Sequence, residues 1–142
     1  MARPKLSLPD TNTILRYLLK DEPNLAARAR DFWEPVREGA TQAVLTEGVL
    51  MECVYVLQRF YKVPRARIVS SLIDILGYKG LEGEGLKIFE AALATYGNTS
   101  LDFVDCLLAA REAAGQGNVF SFDDKLNAQI KRQKHASSIP GQ

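Results

Sequence analysis

Short apolar stretches alternate along the chain with longer segments in which apolar residues recur at helical spacing. The pattern predicts strands over residues 6–8, 43–45 and 119–122 and helices over residues 11–20, 23–38, 47–61, 65–76, 86–96, 101–114 and 124–134. The glycine-rich residues 77–85 predict a turn with a very short strand. Strands that alternate with helices form a parallel sheet covered by helices, so we expect an α/β fold with a central parallel β-sheet flanked by α-helices.

The length and composition fit one globular domain. The chain has 142 residues, of which 46% are hydrophobic and 25% charged, enough to bury a core. We expect a single domain over residues 1–134 and a flexible tail over residues 135–142. No apolar run approaches the roughly 18 residues of a membrane span, and the first residues lack the apolar core of a signal peptide. Two cysteines are too few for a disulfide scaffold, and we expect a cytoplasmic protein with no membrane contact.

Several acidic residues fall where a parallel sheet presents its ligand sites. Asp10 and Asp123 each follow directly on a predicted strand, so both are expected at the carboxyl edge of the sheet. Asp102 and Asp105 are three residues apart near the start of one predicted helix, so they share a face. These positions make the acids candidates for a common site.

Glu52 is an acid within a predicted helix whose neighbouring residues are apolar. It interrupts an otherwise apolar helical segment and lies on a more polar line with Gly48, Tyr55 and Arg59. It is a site residue, an exposed helix residue or a partner of Arg59.

The other acids also have purely structural interpretations. An Asp after a strand often serves as a turn or cap residue, and Asp102, which follows Thr99 by three residues, matches a capping box. If these acids lie close together in the fold, a binding site is the better interpretation, because neighbouring carboxylates repel one another and need protons or a cation to coexist. Oxygen-only ligands select a hard ion such as Mg²⁺ or Mn²⁺.

Four segments resemble, in their order and spacing, those of PIN domains, in particular the VapC-type toxins of prokaryotic toxin–antitoxin pairs. They read LPDTN at residues 8–12, LMECVYVL at 50–57, DFVDCLLAA at 102–110 and VFSFD at 119–123. The likeness covers residues 6–132. Two departures are mild: Pro9 stands where an apolar strand residue is usual, and Ser121 stands where Thr is commoner.

The resemblance implies a metal-dependent endoribonuclease that hydrolyses RNA phosphodiester bonds with Mg²⁺ or Mn²⁺. Carried over residue by residue, the catalytic and metal-binding acids are Asp10, Glu52, Asp105 and Asp123. Accessory polar positions fall on Asn12, Asp102 and Ser121, with Asn12 and Ser121 available to hold Asp10 or a water. The number of metal ions stays open, and of Asp123 and its neighbour Asp124 we prefer Asp123 as the inward acid.

An acidic pocket repels a polyanion, so basic residues elsewhere must bring RNA in. Residues 59–67 contain no acid and carry four basic side chains, Arg59, Lys62, Arg65 and Arg67. A second acid-free basic stretch spans residues 125–142. Solvated helix faces are the alternative interpretation of both stretches. Tyr61 is a candidate to stack on a base, and Phe60 is expected in the core.

The resemblance further implies a cognate antitoxin protein and a homodimer, for which the helices predicted over residues 23–38 and 65–76 are candidate interfaces. A non-catalytic PIN-like module that binds RNA or protein is the alternative. A phosphatase of the haloacid dehalogenase type would need an Asp where Asn12 stands, and a response-regulator receiver would need paired acids before its first helix. The net charge of +1 reflects acids and basic stretches that cancel, so it does not argue against an RNA enzyme.

Overall fold

A computed structural model describes residues 6–138, which form three strands and seven helices. In chain order they are β1 (Leu6–Ser7), α1 (Thr11–Leu19), α2 (Pro23–Glu38), β2 (Gln42–Val44), α3 (Glu47–Arg59), α4 (Arg65–Leu76), β3 (Leu81–Glu82), α5 (Leu86–Asn98), α6 (Phe103–Ala113) and α7 (Asp124–Ser138). The α/β class is confirmed. The chain divides into two compact units at the boundary between Leu86 and Lys87, called here the N-terminal and C-terminal units.

The N-terminal unit contains the sheet. Its three strands are parallel in the order β1-β2-β3, with Ser7 opposite Ala43 and Ala43 opposite Leu81. Each parallel step needs a crossover, which α1 and α2 provide between β1 and β2, and α3 and α4 provide between β2 and β3. The expected short strand within residues 77–85 is therefore β3.

The helices of this unit bury the faces that their spacing predicts. Ile14 and Leu15 of α1 are buried, as are the regularly spaced apolar residues of α2, α3 and α4. Trp33 is fully buried, and its ring stacks on Tyr17 with the ring centroids 6.0 Å apart. Helix α1 contacts both α2 and α3.

Arg16 connects three segments of the N-terminal unit. Its Nη1 donates to Asp21 at 2.7 Å and to Glu22 at 3.3 Å, and its Nη2 donates to the Tyr61 hydroxyl at 2.8 Å. The residue is only 9% exposed, so these bonds satisfy a charge that burial alone would make costly. They tie the end of α1 to the start of α2 and to the turn that follows α3.

The C-terminal unit is helical. Helix α6 packs against α7, and the ring of Tyr96 meets that of Phe103 edge-on at 5.8 Å. The carboxylate of Glu112 in α6 forms an ion pair with Lys134 of α7 at 3.4 Å. It also accepts a hydrogen bond from the backbone N–H of Val119 at 2.7 Å. The side chain of Glu112 thus joins α7 to the segment that precedes it.

The strand predicted over residues 119–122 is wrong. Its backbone groups bond to side chains instead of to a neighbouring strand: Val119 N–H donates to Glu112, the Ser121 carbonyl accepts from Asn127, and Asp123 N–H donates to the Ser121 hydroxyl. The apolar residues that suggested a strand are exposed, Phe120 at 85% and Phe122 at 91%. Their rings contact each other edge-on at 5.3 Å.

Helix ends differ from prediction by a few residues, the usual uncertainty of sequence reading. Helix α7 continues to Ser138, so residues 135–138 are helical and were not expected to be. The rest of the expected tail, residues 139–142, lies outside the described residues. Among the helices of residues 6–138, none combines the length and apolar character that crossing a membrane requires.

Gly80 gives a test of how tightly β3 is seated. A Cβ atom there would overlap the carbonyl oxygens of Thr41 and Val36, whereas one at Gly48 in α3 would meet nothing within 4 Å. We expect Gly80→Ala to lower the free energy of unfolding by about 3 kcal/mol. The matched change Gly48→Ala should raise it by up to about 1 kcal/mol, because Ala favours a helix. Urea unfolding followed by circular dichroism measures both, and equal midpoints would contradict the close approach at Gly80.

Candidate active site

Asp10 links the first strand to the first helix. It is the N-cap of α1, and its Oδ1 accepts hydrogen bonds from the Thr13 backbone N–H at 3.0 Å and the Thr13 hydroxyl at 2.8 Å. These bonds favour the ionised form and lower the pKa of the Asp10 carboxyl below its ordinary value. Within the described residues no hydrogen bond uses Oδ2, and the residue is exposed. Oδ1 of Asp10 therefore caps helix α1.

Glu52 lies on the exposed side of α3. Gly48, Tyr55 and Arg59 are exposed with it, which confirms the polar line predicted for this helix. The Arg59 guanidinium lies 5.8 Å from the centroid of the Tyr55 ring. Among the ion pairs of residues 6–138, none joins Arg59 to Glu52. Glu52 is thus available to a ligand.

The thiol of Cys53 responds to the charges of two candidate site acids of the N-terminal unit, Asp10 and Glu52. It is fully buried, and its thiol lies 4.0 Å from the Thr11 carbonyl oxygen. Burial raises the pKa of the Cys53 thiol to about 12, and the negative charges of Glu52 and Asp10 add to that rise. Both carboxylates therefore act on the same small region beside α1 and α3. Cys53 and Cys106 are free and buried, as expected of small apolar residues.

The acids of the C-terminal unit also act on one another. Asp105 is half-buried in the first turn of α6, and burial raises the pKa of its carboxyl. The charges of Asp123 and Asp102 raise that pKa further. Asp102 occupies the N-cap position of α6, but its side chain makes no capping bond, so the capping-box interpretation is wrong.

Asp123 is positioned by the start of α7. Its Oδ1 accepts from the Lys125 backbone N–H at 3.0 Å, and its own N–H donates to the Ser121 hydroxyl at 2.9 Å. The Ser121 carbonyl in turn accepts from the Asn127 amide at 3.0 Å. Ser121 is therefore a positioning residue for the backbone of Asp123. Asp124 is the first residue of α7 and is exposed.

Thr13 is a further residue that orients Asp10, one that was not predicted from the sequence. Asn12 is exposed in the first turn of α1, whereas Thr13 supplies both hydrogen bonds to the Asp10 side chain. The signal was available in the sequence, since a hydroxyl residue three positions after an N-cap Asp is placed to donate to it.

The donors suit a hard divalent cation, although they form two groups. Asp10 and Glu52 belong to the N-terminal unit, and Asp102, Asp105 and Asp123 belong to the C-terminal unit. Carboxylate oxygens are the ligands that Mg²⁺ and Mn²⁺ prefer, and a cation would relieve the like-charge repulsion that Asp105 experiences. Across residues 6–138, no three His, Cys, Asp or Glu side chains are grouped so that they could hold a metal ion.

The PIN domain family matches residues 7–131, a span that contains all of these acids, and the chain belongs to this family. PIN domains are generally nucleases and typically use divalent metals. No curated protein and no solved structure is significantly similar to the chain.

The bonds from Thr13 predict a measurable shift at Asp10. Thr13→Val removes the hydroxyl donor, so the pKa of Asp10 should rise toward its ordinary value in a carboxyl-carbon NMR titration of the metal-free protein. A lowered pKa stabilises the folded state above about pH 4, so the stability lost in the variant should be largest at neutral pH and shrink as the pH falls. Thr13→Ser keeps the hydroxyl and should keep the low pKa. An unchanged pKa in Thr13→Val would contradict the assignment.

Proposed function

We propose that the chain is a Mg²⁺- or Mn²⁺-dependent endoribonuclease and the toxin of a VapC-type toxin–antitoxin pair. The observation that carries the proposal is the family match over residues 7–131, which includes an acid at each of the four positions that the resemblance assigns. Those acids are Asp10, Glu52, Asp105 and Asp123. None of them forms an ion pair among those of residues 6–138, so their charges are free for a cation.

In this proposal Asp10 and Asp105 bind the metal directly, and Glu52 and Asp123 bind it directly or through water. The bound cation would supply a more acidic water and neutralise charge on the phosphate. Thr13 fixes the orientation of the Asp10 carboxylate, and Ser121 fixes the backbone of Asp123. Asp102 adds negative charge beside Asp105. The chain's contribution is thus to hold carboxylates in place before substrate arrives.

The stretch 59–67 is proposed to contact RNA. Arg59, Lys62 and Arg67 are exposed and Arg65 is half-buried. Phe60, expected in the core, is 76% exposed, so that expectation is wrong, and its ring meets the Tyr61 ring edge-on at 5.1 Å. Tyr61 is half-buried and its hydroxyl accepts from Arg16, so Phe60 is the exposed ring beside these basic side chains. An exposed aromatic ring among basic side chains favours single-stranded RNA, whose bases can stack while its phosphates are neutralised.

An antitoxin protein and a homodimer remain part of the proposal. Helices α2 and α4, the candidate interfaces, bury most of their apolar faces, including Trp33, Val36, Ile68 and Leu72. A non-catalytic PIN-like module is the second candidate function. The observation that favours it is the absence, among residues 6–138, of a three-ligand metal group.

Substitution of single acids separates the two candidates. Asp10→Asn and Asp123→Asn should each lower Mg²⁺-dependent cleavage of a labelled RNA by about 100-fold or more, because a metal ligand is lost. Asp10→Asn should also weaken Mn²⁺ binding in calorimetry and relieve the growth arrest that expression of a toxin causes. Asp74→Asn, an exposed acid on α4, is the matched control and should change none of these. Equal Mn²⁺ binding and cleavage in wild type and Asp10→Asn would favour the non-catalytic module.

The basic stretch predicts a separable defect. Lys62→Ala with Arg67→Ala should weaken binding of single-stranded RNA and reduce its salt dependence, because two phosphate contacts are removed. Mn²⁺ binding should be unaffected, since neither residue is an acid. Fluorescence anisotropy with a labelled RNA at several salt concentrations measures the first effect. Unchanged RNA affinity at low salt would assign these residues to a solvated surface.

A further inference from the structure

A cavity of about 510 Å³ opens beside Asp10 in the N-terminal unit, between the end of β1 and helices α1 and α2. One part of its wall is polar and contains Asp10, Asn12 and Thr13. The volume lies within the range of pockets that hold small organic ligands, about 300–1,000 Å³. The cavity can therefore hold one monomer unit of a polymer next to Asp10, which is a proposed metal ligand.

Two arginines line the cavity, and they differ in whether an acidic side chain pairs with their charge. The charge of Arg16 is matched by Asp21 and Glu22, and only its buried Nε lacks a hydrogen-bond partner. Arg28 is exposed, and among the ion pairs of residues 6–138 none involves it. Arg28 thus presents a positive charge that no acid neutralises, in the same cavity as the negative Asp10.

The remaining wall is apolar and open. Leu8 is 72% exposed and Leu25 is 37% exposed, and half-buried Phe32 lies behind them in the lining. Leu8 lies between β1 and the N-cap Asp10, where exposure of a large apolar side chain costs solvation free energy that a ligand could recover. A flat apolar group would cover this wall.

We propose that this cavity holds one nucleotide of the RNA substrate, with a phosphate on Arg28 and the base against Leu8 and Leu25. The inference rests on the proposed function, since a substrate cleaved at Asp10 must have a nucleotide within one phosphate spacing of it. Arg28 is then a positioning residue that offsets the repulsion between the Asp10 carboxylate and the RNA backbone. Asn12 and Thr13 are uncharged polar side chains of the same lining, close in sequence to Asp10.

Helix α2 contains a matched control for Arg28. Arg30 is also exposed, but it lines a different cavity with Tyr17 and Asp74. Arg28→Gln and Arg30→Gln remove the same charge from the same helix, so general electrostatic attraction for RNA changes equally in both. Arg30 also acts on the carboxylate of Glu34, so only a larger loss for Arg28→Gln than for Arg30→Gln points to the cavity beside Asp10.

The test uses the full chain, EDTA to prevent cleavage, and a fluorescein-labelled single-stranded RNA of mixed sequence. Arg28→Gln should weaken binding about tenfold and reduce the salt slope by about 0.7, the loss of one phosphate contact on a single strand. Arg30→Gln should weaken binding about twofold or less, because its charge acts through a screened field. Leu8→Ala should weaken binding without changing the salt slope, because it removes an apolar contact alone.

The nucleotide site would be overturned if Arg28→Gln and Arg30→Gln bound RNA with equal affinity, or if the wild-type chain bound no RNA. The apolar wall would then be assigned to contact with a protein side chain. Cleavage is measured separately with Mg²⁺ on the wild-type chain. A clear difference between the two arginine variants in a chain that does not cleave RNA would support the nucleotide site and contradict the proposed catalysis. Unchanged thermal midpoints would exclude misfolding as the cause, since both arginines are exposed.

Discussion

The two hydrogen bonds from Thr13 to Asp10 set how the first strand of the N-terminal unit passes into its first helix. They turn the chain from β1 into α1 and satisfy a backbone donor that the start of a helix otherwise leaves open. They also fix the orientation of the Asp10 carboxylate. Asp123 repeats the arrangement at the start of α7, with Lys125 as the backbone donor. In both units, the same geometry that begins a helix orients an acid.

Much of the fold was readable from the sequence because each signal was local. The bounds of α2 and α4 agree with prediction to the residue, since Pro near the start and Gly after the end mark both limits of α2, and Val63-Pro64 and Gly77 bracket α4. The prediction of a strand over residues 119–122 was wrong for a non-local reason. Its alternating apolar residues satisfy the strand pattern, but a strand also needs a neighbour, and side chains of α6 and α7 take its backbone bonds.

Only the local features of the candidate site were predicted from the sequence. Spacing identified the acids, and the polar line around Glu52 in α3 followed from helical geometry alone. The donor to Asp10 was missed, because the prediction considered Asn12 and not the hydroxyl residue three positions after an N-cap Asp. The exposure of Phe60 was also missed, because its position one residue past the last helical residue leaves its orientation to the turn. Helical periodicity carries no information beyond the helix end.

The capping role of Asp10 separates the stability of the fold from its chemistry. Asn caps a helix about as well as Asp does, because the carbonyl oxygen of its amide accepts the same backbone bond. One substitution at this position could therefore remove a negative charge and leave β1, α1 and their junction intact. A descendant of this chain that had lost such a charge would keep the same fold. In such a chain, retention of the fold and retention of the acid at this position are under independent selection.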